Sequence, residues 1–153
     1  METICIKSPV GELTLFADGR SIVALSWGHG LNAPRKSKSQ ALNRAARLLG
    51  DYFKTGQADF SSLDLAPSGT PFRQRVWREM LRIKPGHTKS YGQVAKTLKS
   101  SPRAVGGACA ANPIPILIPC HRIINADGKT GHYSGGLGPE TKKFLLRLEG
   151  ALN

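Results

Sequence analysis

Ser90-Tyr91-Gly92-Gln93-Val94-Ala95-Lys96-Thr97-Leu98-Lys99-Ser100-Ser101-Pro102-Arg103-Ala104-Val105-Gly106-Gly107-Ala108-Cys109-Ala110-Ala111 decides how the second half of the chain folds. Ser90 is a helix-capping residue, and Val94, Ala95 and Leu98 recur at helical spacing, which predicts a helix from Tyr91 to about Leu98. Pro102 opens another, over Arg103 to about Ala111, because its missing N–H costs nothing in a first turn. Two short helices across the turn Lys99-Ser100-Ser101 make a helix-turn-helix pattern. The second helix is built almost wholly of small residues. Each of Gly106 and Gly107 costs about 1 kcal/mol relative to alanine inside a helix. Either a neighbouring helix packs very closely on this face, or the face approaches a nucleic-acid backbone or groove.

Working outward, Thr70 is a good N-cap with Pro71 at the first helical position, and Phe72, Val76, Trp77, Met80 and Ile83 form a buried stripe. Pro85-Gly86 ends that helix. A last helix runs from near Pro139 to Glu149, with Phe144, Leu145 and Leu148 inward and Gly150 as its stop. Towards the N-terminus the pattern changes. Ile4-Cys5-Ile6, Leu13-Thr14-Leu15-Phe16 and Ile22-Val23-Ala24-Leu25 are short apolar runs separated by turn residues, a β-meander. Residues 28–39 read as an exposed polar loop. Leu42, Ala45, Ala46, Leu49 and Phe53 give an amphipathic helix of roughly 39–54, stopped by Gly56. Leu63-Asp64-Leu65 reads as a last short strand, and Ala66-Pro67-Ser68-Gly69 as a linker. The expected organisation is α+β, with a small α/β domain over residues 1–66 and a mostly helical domain over 70–153.

With 40% hydrophobic and 21% charged residues the chain is globular in composition. The longest apolar stretch, Ile114 to Ile118, is too short to cross a bilayer and is broken by Pro115. No signal-peptide pattern opens the chain, so a cytoplasmic protein without membrane attachment is expected. Cys5, Cys109 and Cys120 are odd in number and lack metal-ligand spacing, which suits free thiols in a reducing compartment and implies no metal. Net charge is +12, and residues 70–153 carry fourteen Lys/Arg against four Asp/Glu, compared with eight against six before them. Such a basic half is the footprint of a polyanion, although a solvated basic surface would show the same count.

Chemistry concentrates in Pro119-Cys120-His121-Arg122. Cysteine attacks as thiolate, and an ordinary thiol is only a few per cent ionised at neutral pH. Prolines 113, 115 and 119 predict a stiff, extended approach that sets the thiol in a pocket wall beside a proton acceptor. An inert core cysteine is the competing reading. Glu149 is the other oddity, because a carboxylate in the last turn of a helix opposes the helix dipole. It is either a solvated end residue or a buried orienting partner for His121.

Beyond these local readings, Gly69-Thr70-Pro71-Phe72, Val76-Trp77, Thr88-Lys89-Ser90-Tyr91-Gly92, Arg103-Ala104-Val105-Gly106-Gly107-Ala108, Asn112-Pro113, Ile118-Pro119-Cys120-His121-Arg122, Gly131-His132-Tyr133-Ser134-Gly135-Gly136-Leu137 and Glu149-Gly150 follow one another in order. This series, dense over residues 69–150, resembles the O6-alkylguanine-DNA alkyltransferases. The resemblance implies an RNase H-like first domain and a winged-helix-like second one. It implies direct-reversal repair, in which Cys120 accepts the alkyl group from O6 of guanine, or O4 of thymine, irreversibly and once per molecule. His121 would take the thiol proton through water, Glu149 would orient His121, and Tyr91 would donate a proton toward guanine N3. Arg103 would fill the gap left by the flipped base, while Ala104, Gly106 and Gly107 lie in the minor groove with Tyr91 at the phosphate. Pro119, Asn112, Ile123, Tyr133 and Ser134 would shape the pocket, with the carbonyls of Cys120 and Ile123 reading the exocyclic amine. The partner would be double-stranded DNA containing O6-alkylguanine, bound by a monomer with no cofactor.

Relative to that pattern the segment before Arg103 is shorter and the segment after Leu137 longer. Three rivals are an alkyltransferase-like protein that only flags damage, a cysteine hydrolase and a helix-turn-helix regulator. The first typically carries tryptophan where Cys120 stands. The second leaves the basic helices idle, and the third wants polar side chains on its reading helix.

Overall fold

Alternating apolar residues drive the first elements. In the computed structural model, which describes residues 1–30 and 32–153, β1 (Glu2–Ser8), β2 (Gly11–Asp18) and β3 (Ser21–Trp27) form the expected antiparallel meander. The register pairs Ile4 with Leu15 and Leu15 with Leu25, so these side chains share one face and enter the core. Helix α1 (Gln40–Thr55) packs on the meander through Leu42, Ala45, Leu49 and Tyr52. Ser39 caps its N-terminus by accepting from Leu42 N at 3.2 Å, and Gly56 closes it in the left-handed conformation.

Three expectations for this region change. Residues 28–39 do not all run exposed: Pro34 O accepts from Cys5 N at 2.8 Å, Thr14 Oγ1 accepts from Gly30 N at 2.8 Å, and Ala33 is buried. The backbone polar groups of this segment find partners on the outer side of the sheet, covering Cys5 and Thr14. Leu31, part of that stretch, lies outside the described residues. Leu63-Asp64-Leu65 makes only an isolated parallel bridge to Ile22, because further along the β3 edge the Leu25 N–H donates to Pro113 O instead. In α1, Phe53 is only half-buried, and Tyr52 is the fully buried ring.

The second half begins with α2 (Pro71–Met80), capped by Thr70 Oγ1 on Arg73 N. The helix ends at Met80 rather than at Pro85-Gly86, because the bonds Arg82 N to Glu79 O and Ile83 N to Met80 O tighten the chain into a narrower turn. Helix α3 (Tyr91–Leu98) starts at a reciprocal capping box between Ser90 and Gln93. Lys99 takes a left-handed φ of 55°, and Ser101 caps α4 (Pro102–Ala110), so a three-residue turn suffices between the two helices. Trp77 Nε1 donates to Ala108 O at 2.9 Å, joining α2 to α4. Two short strands, β4 (Lys89–Ser90) and β5 (Ile123–Ile124), pair in parallel, and α5 (Pro139–Leu148) closes the fold with Glu149 as its C-cap. Among the described residues no helix is long and apolar enough to cross a membrane.

The two halves meet tightly at the end of α1. A Cβ on Gly56 would lie 2.0 Å from Leu148 O, so only glycine admits this approach of α1 to the end of α5.

Candidate active site

The segment leading to Cys120 is stiff but not extended. Ile118 N donates to Ile114 O at 2.9 Å, and Ile116 holds a φ of 72°, an unusual conformation for a β-branched residue. The prolines therefore frame a tight turn, and the extended approach expected from them is corrected. Asn112 pins this turn, donating from Nδ2 to Ile118 O at 2.8 Å and accepting from Ile114 N at 3.0 Å. Cys120, His121 and Arg122 then form one 3₁₀ turn, and β5 follows at once. Because β5 pairs with β4, the cysteine turn is tied to the start of α3, where Tyr91 stands.

A cavity of about 510 Å³ opens between α3, α4 and the loop carrying Tyr133 and Ser134. Cys120 lines it, and so do Tyr91, Arg103, Gly106 and Cys109. Cys120 is 7% exposed, enough for contact with an entering group and too little for bulk water. Burial pushes its thiol pKa up, while a hydrogen bond with Asn112 and the charge of Lys142 pull it back. At rest the sulfur is therefore a protonated thiol, and its activation requires a base.

That base lies behind it. His121 is completely buried, with Nε2 at 2.7 Å from Glu149 Oε2 and Nδ1 without a hydrogen-bond partner among the described residues. Burial holds its pKa below the usual imidazole range, against the raising effect of Glu149. Glu149 is also gripped by Arg122, whose Nε donates to Oε1 at 2.8 Å and whose Nη2 donates to Oε2 at 2.9 Å. Arg122 Nη1 donates onward to Ile83 O at 2.5 Å. Burial alone would raise the Glu149 pKa, but His121 and Arg122 together bring it down to about 2. The carboxylate stays charged, and the neutral imidazole it orients can accept a proton.

Lys142 and Tyr52 complete the site, and neither was found by reading the sequence. Lys142 is fully buried, donates from Nζ to Ile123 O at 2.6 Å and His132 O at 3.2 Å, and lies 5.7 Å from the centre of the Tyr91 ring. Its only sequence signal is a lysine on the inward side of α5. Tyr52 reaches Glu149 from α1, and nothing local announces that. Burial pushes the Tyr91 phenol up to about 12, so it remains a proton donor at neutral pH. Tyr133 is buried, with its hydroxyl unpartnered among the described residues.

Of the residues singled out from sequence, Cys120, Tyr91, Arg103, Gly106, Tyr133 and Ser134 share the cavity wall. His121 and Glu149 sit behind it as a bonded pair. Asn112 lies behind the cysteine turn, and Ile123 is buried with its carbonyl already accepting from Lys142. Pro119 faces a different cleft, on the Arg122 side. Ala104 and Gly107 are on α4 outside the cavity lining, Gly107 exposed and Ala104 half-buried. Among the described residues nothing lies within 4 Å of a Cβ built on Gly106 or Gly107, so none of their helices packs there and the small-residue face is open. The first domain props the pocket loop: a Cβ on Gly135 would lie 2.5 Å from the Trp27 ring, and Trp27 meets Tyr133 edge-on at 6.1 Å.

Away from this cavity, Cys5, Glu12 and His29 bring their ligand atoms within 4.8 Å of one another. Arg35 already occupies that cluster, bonding Glu12 and lying 3.6 Å from Cys5 Sγ.

A thiol in a cavity wall, a buried histidine–carboxylate pair behind it and an open glycine face on α4 are the parts that a group-accepting protein requires. Comparison with known proteins makes this specific. Residues 71–151 match the family model described as 6-O-methylguanine DNA methyltransferase, DNA binding domain, and residues 2–67 match its ribonuclease-like domain. A methylated-DNA–protein-cysteine methyltransferase of Haemophilus influenzae is 38% identical over 149 residues, spanning 93% of this chain and 82% of the relative. The crystal structure of Mycobacterium tuberculosis OGT in complex with DNA superposes with a TM-score of 0.86 at 36% identity, covering 99% of this chain and 94% of that one. An O6-methylguanine DNA methyltransferase from Methanococcus jannaschii gives a TM-score of 0.70 at 29% identity, covering 98% and 94%. The chain belongs to the 6-O-methylguanine DNA methyltransferase family.

Proposed function

We propose that this chain repairs DNA by direct reversal, moving a methyl or larger alkyl group from O6 of guanine to Cys120 Sγ. The observation that carries this is the Cys120 thiol on the floor of a cavity beside the open glycine face of α4, with His121 and Glu149 paired behind it. O6 of a stacked guanine is out of a buried thiol's reach, so the base must leave the duplex, at a cost of a few kcal/mol. The basic second half, residues 70–153, neutralises phosphates, and α4 enters the minor groove through Ala104, Gly106 and Gly107. Arg103 fills the vacated stack and offsets part of the flipping cost.

In the reaction the thiol proton passes through water to His121 Nδ1, the one ring nitrogen not committed to Glu149. Sulfur attacks the alkyl carbon, the S–C bond forms and the C–O6 bond breaks. Tyr91 gives a proton to guanine N3 as charge leaves O6, and Lys142 stabilises the thiolate in passing. His121 then releases its proton to solvent and solvent reprotonates the Tyr91 phenolate, so the net result is a proton moved from the thiol to the guanine. Nothing removes the thioether, and each molecule acts once. Pro119, Asn112 and Ile123 hold the shape of the cysteine turn, while Tyr133 and Ser134 cover the base. Residues 1–66 and 70–153 act as two domains of a monomer, and the free thiols suit the cytoplasm.

The test is nucleoside analysis of a duplex containing one O6-methylguanine after incubation with limiting protein. Guanine recovered in an amount equal to protein, and none with Cys120→Ala, is the expected result. Recovery that keeps rising past one equivalent would point to a hydrolase instead.

A further inference from the structure

Tyr52 belongs to α1 in the first half of the chain, yet its hydroxyl lies in the middle of the second half's buried relay. It donates to Glu149 Oε2 at 2.5 Å, the same oxygen that accepts from His121 Nε2 and Arg122 Nη2. The ring is fully buried and is held by Phe53 at 5.2 Å and Phe60 at 5.9 Å between centroids. Burial, reinforced by the carboxylate, pushes the phenol pKa far up, so the hydroxyl is a permanent donor. The contact of Gly56 with Leu148 O, one turn beyond Tyr52, brings the end of α1 close enough for this bond.

We propose that Tyr52 is a positioning residue for alkyl transfer: its hydroxyl, reaching across from the first domain, holds the Glu149 carboxylate that orients His121. This rests on the reading of Cys120 as the alkyl acceptor and adds that the first domain takes part in the chemistry. The charged groups acting on His121 are Glu149 at the C-cap of α5, Arg122 from its own turn and Lys142 from α5, with Tyr52 reaching it through the carboxylate. Among these Tyr52 alone can lose its polar atom without a change of charge or ring packing. Without that donor Oε2 carries more unshared charge and can pivot. It then binds an imidazolium more strongly, so His121 keeps its proton to higher pH and less of it is available as a base.

Tyr52→Phe is the probe, with Glu149→Gln and the double variant beside it. Two readouts are taken: the single-turnover rate of methyl transfer from an O6-methylguanine duplex across pH, and the titration of the histidine rings by NMR. The expected result is a roughly tenfold slower transfer at neutral pH that recovers at alkaline pH, with the His121 titration moved upward. Tyr52→Phe should add nothing further in the Glu149→Gln background. An unmoved His121 titration, a rate loss equal at every pH, or fully additive losses in the double variant would each overturn the proposal. If wild-type protein transferred no methyl group, the acceptor assignment would fail, while the His121 titration would still decide whether Tyr52 is coupled to the ring.

Discussion

Glu149 stands at the C-terminal end of α5, where the helix dipole disfavours a carboxylate, and it is 95% shielded from solvent (5% exposed). Four hydrogen bonds compensate for it, two from Arg122 and one each from His121 and Tyr52. Breaking such a buried pair from one side costs about 3–5 kcal/mol, so Glu149→Gln should be destabilised by roughly that amount at neutral pH in urea unfolding. The pH dependence follows from the sign of the shift. Glu149 has a folded pKa of about 2 against an ordinary 4.5, so its contribution is complete above 4.5 and is lost as pH falls from there toward 2. Wild type and Glu149→Gln should therefore converge in stability across that window; a gap that stays constant would refute the assignment. At this scale the sequence revealed part of the site. Glu149 stood out because a carboxylate there opposes the helix dipole, and His121 because it adjoins Cys120. Tyr52 and Lys142 did not, because a tyrosine and a lysine in amphipathic helices look ordinary until distant backbone and side-chain partners arrive.

Among the elements, α4 was the most legible and the most informative. Its start is written locally in Pro102, the small residues announced an unusual face, and the structure adds Ser101 as its N-cap. What the sequence left open was which neighbour required them. The empty space around Gly106 and Gly107 answers that no element among the described residues does. A consequence can be measured at Gly107. Gly107→Ala meets no clash and should stabilise the protein by up to about 1 kcal/mol, while weakening binding to a duplex. Thermal melts and a fluorescence-anisotropy titration on the same preparation check both halves. Higher stability with unchanged affinity would remove α4 from the DNA surface. The turn before Cys120 was less legible, since nothing in Ile114-Pro115-Ile116 signals that an isoleucine adopts positive φ.

For the whole molecule, the two halves looked like separate domains joined by a linker, and strand and helix patterns in each were readable from periodicity. Their interlock was not, because it depends on contacts between residues far apart: Gly56 on Leu148, Trp27 on Gly135, Tyr52 on Glu149. The first domain thus supports both the relay and the pocket loop. Close packing around Cys120 also has a cost once the acceptor is used. An added methyl on a buried sulfur should lower stability by about 1–3 kcal/mol, seen as a lower melting midpoint in the alkylated protein. An unchanged or higher midpoint would mean that the cavity accommodates the product without strain.

Alkyl transfer as proposed leaves the group on Cys120 itself. Intact-protein mass spectrometry after mixing the protein with a duplex containing one O6-methylguanine, beside Cys120→Ser, tests it most directly. The expected result is a gain of one methylene's mass in the wild type only, saturating at one per molecule. An unshifted wild-type mass with the duplex still bound would contradict it and leave a protein that binds the lesion without removing it.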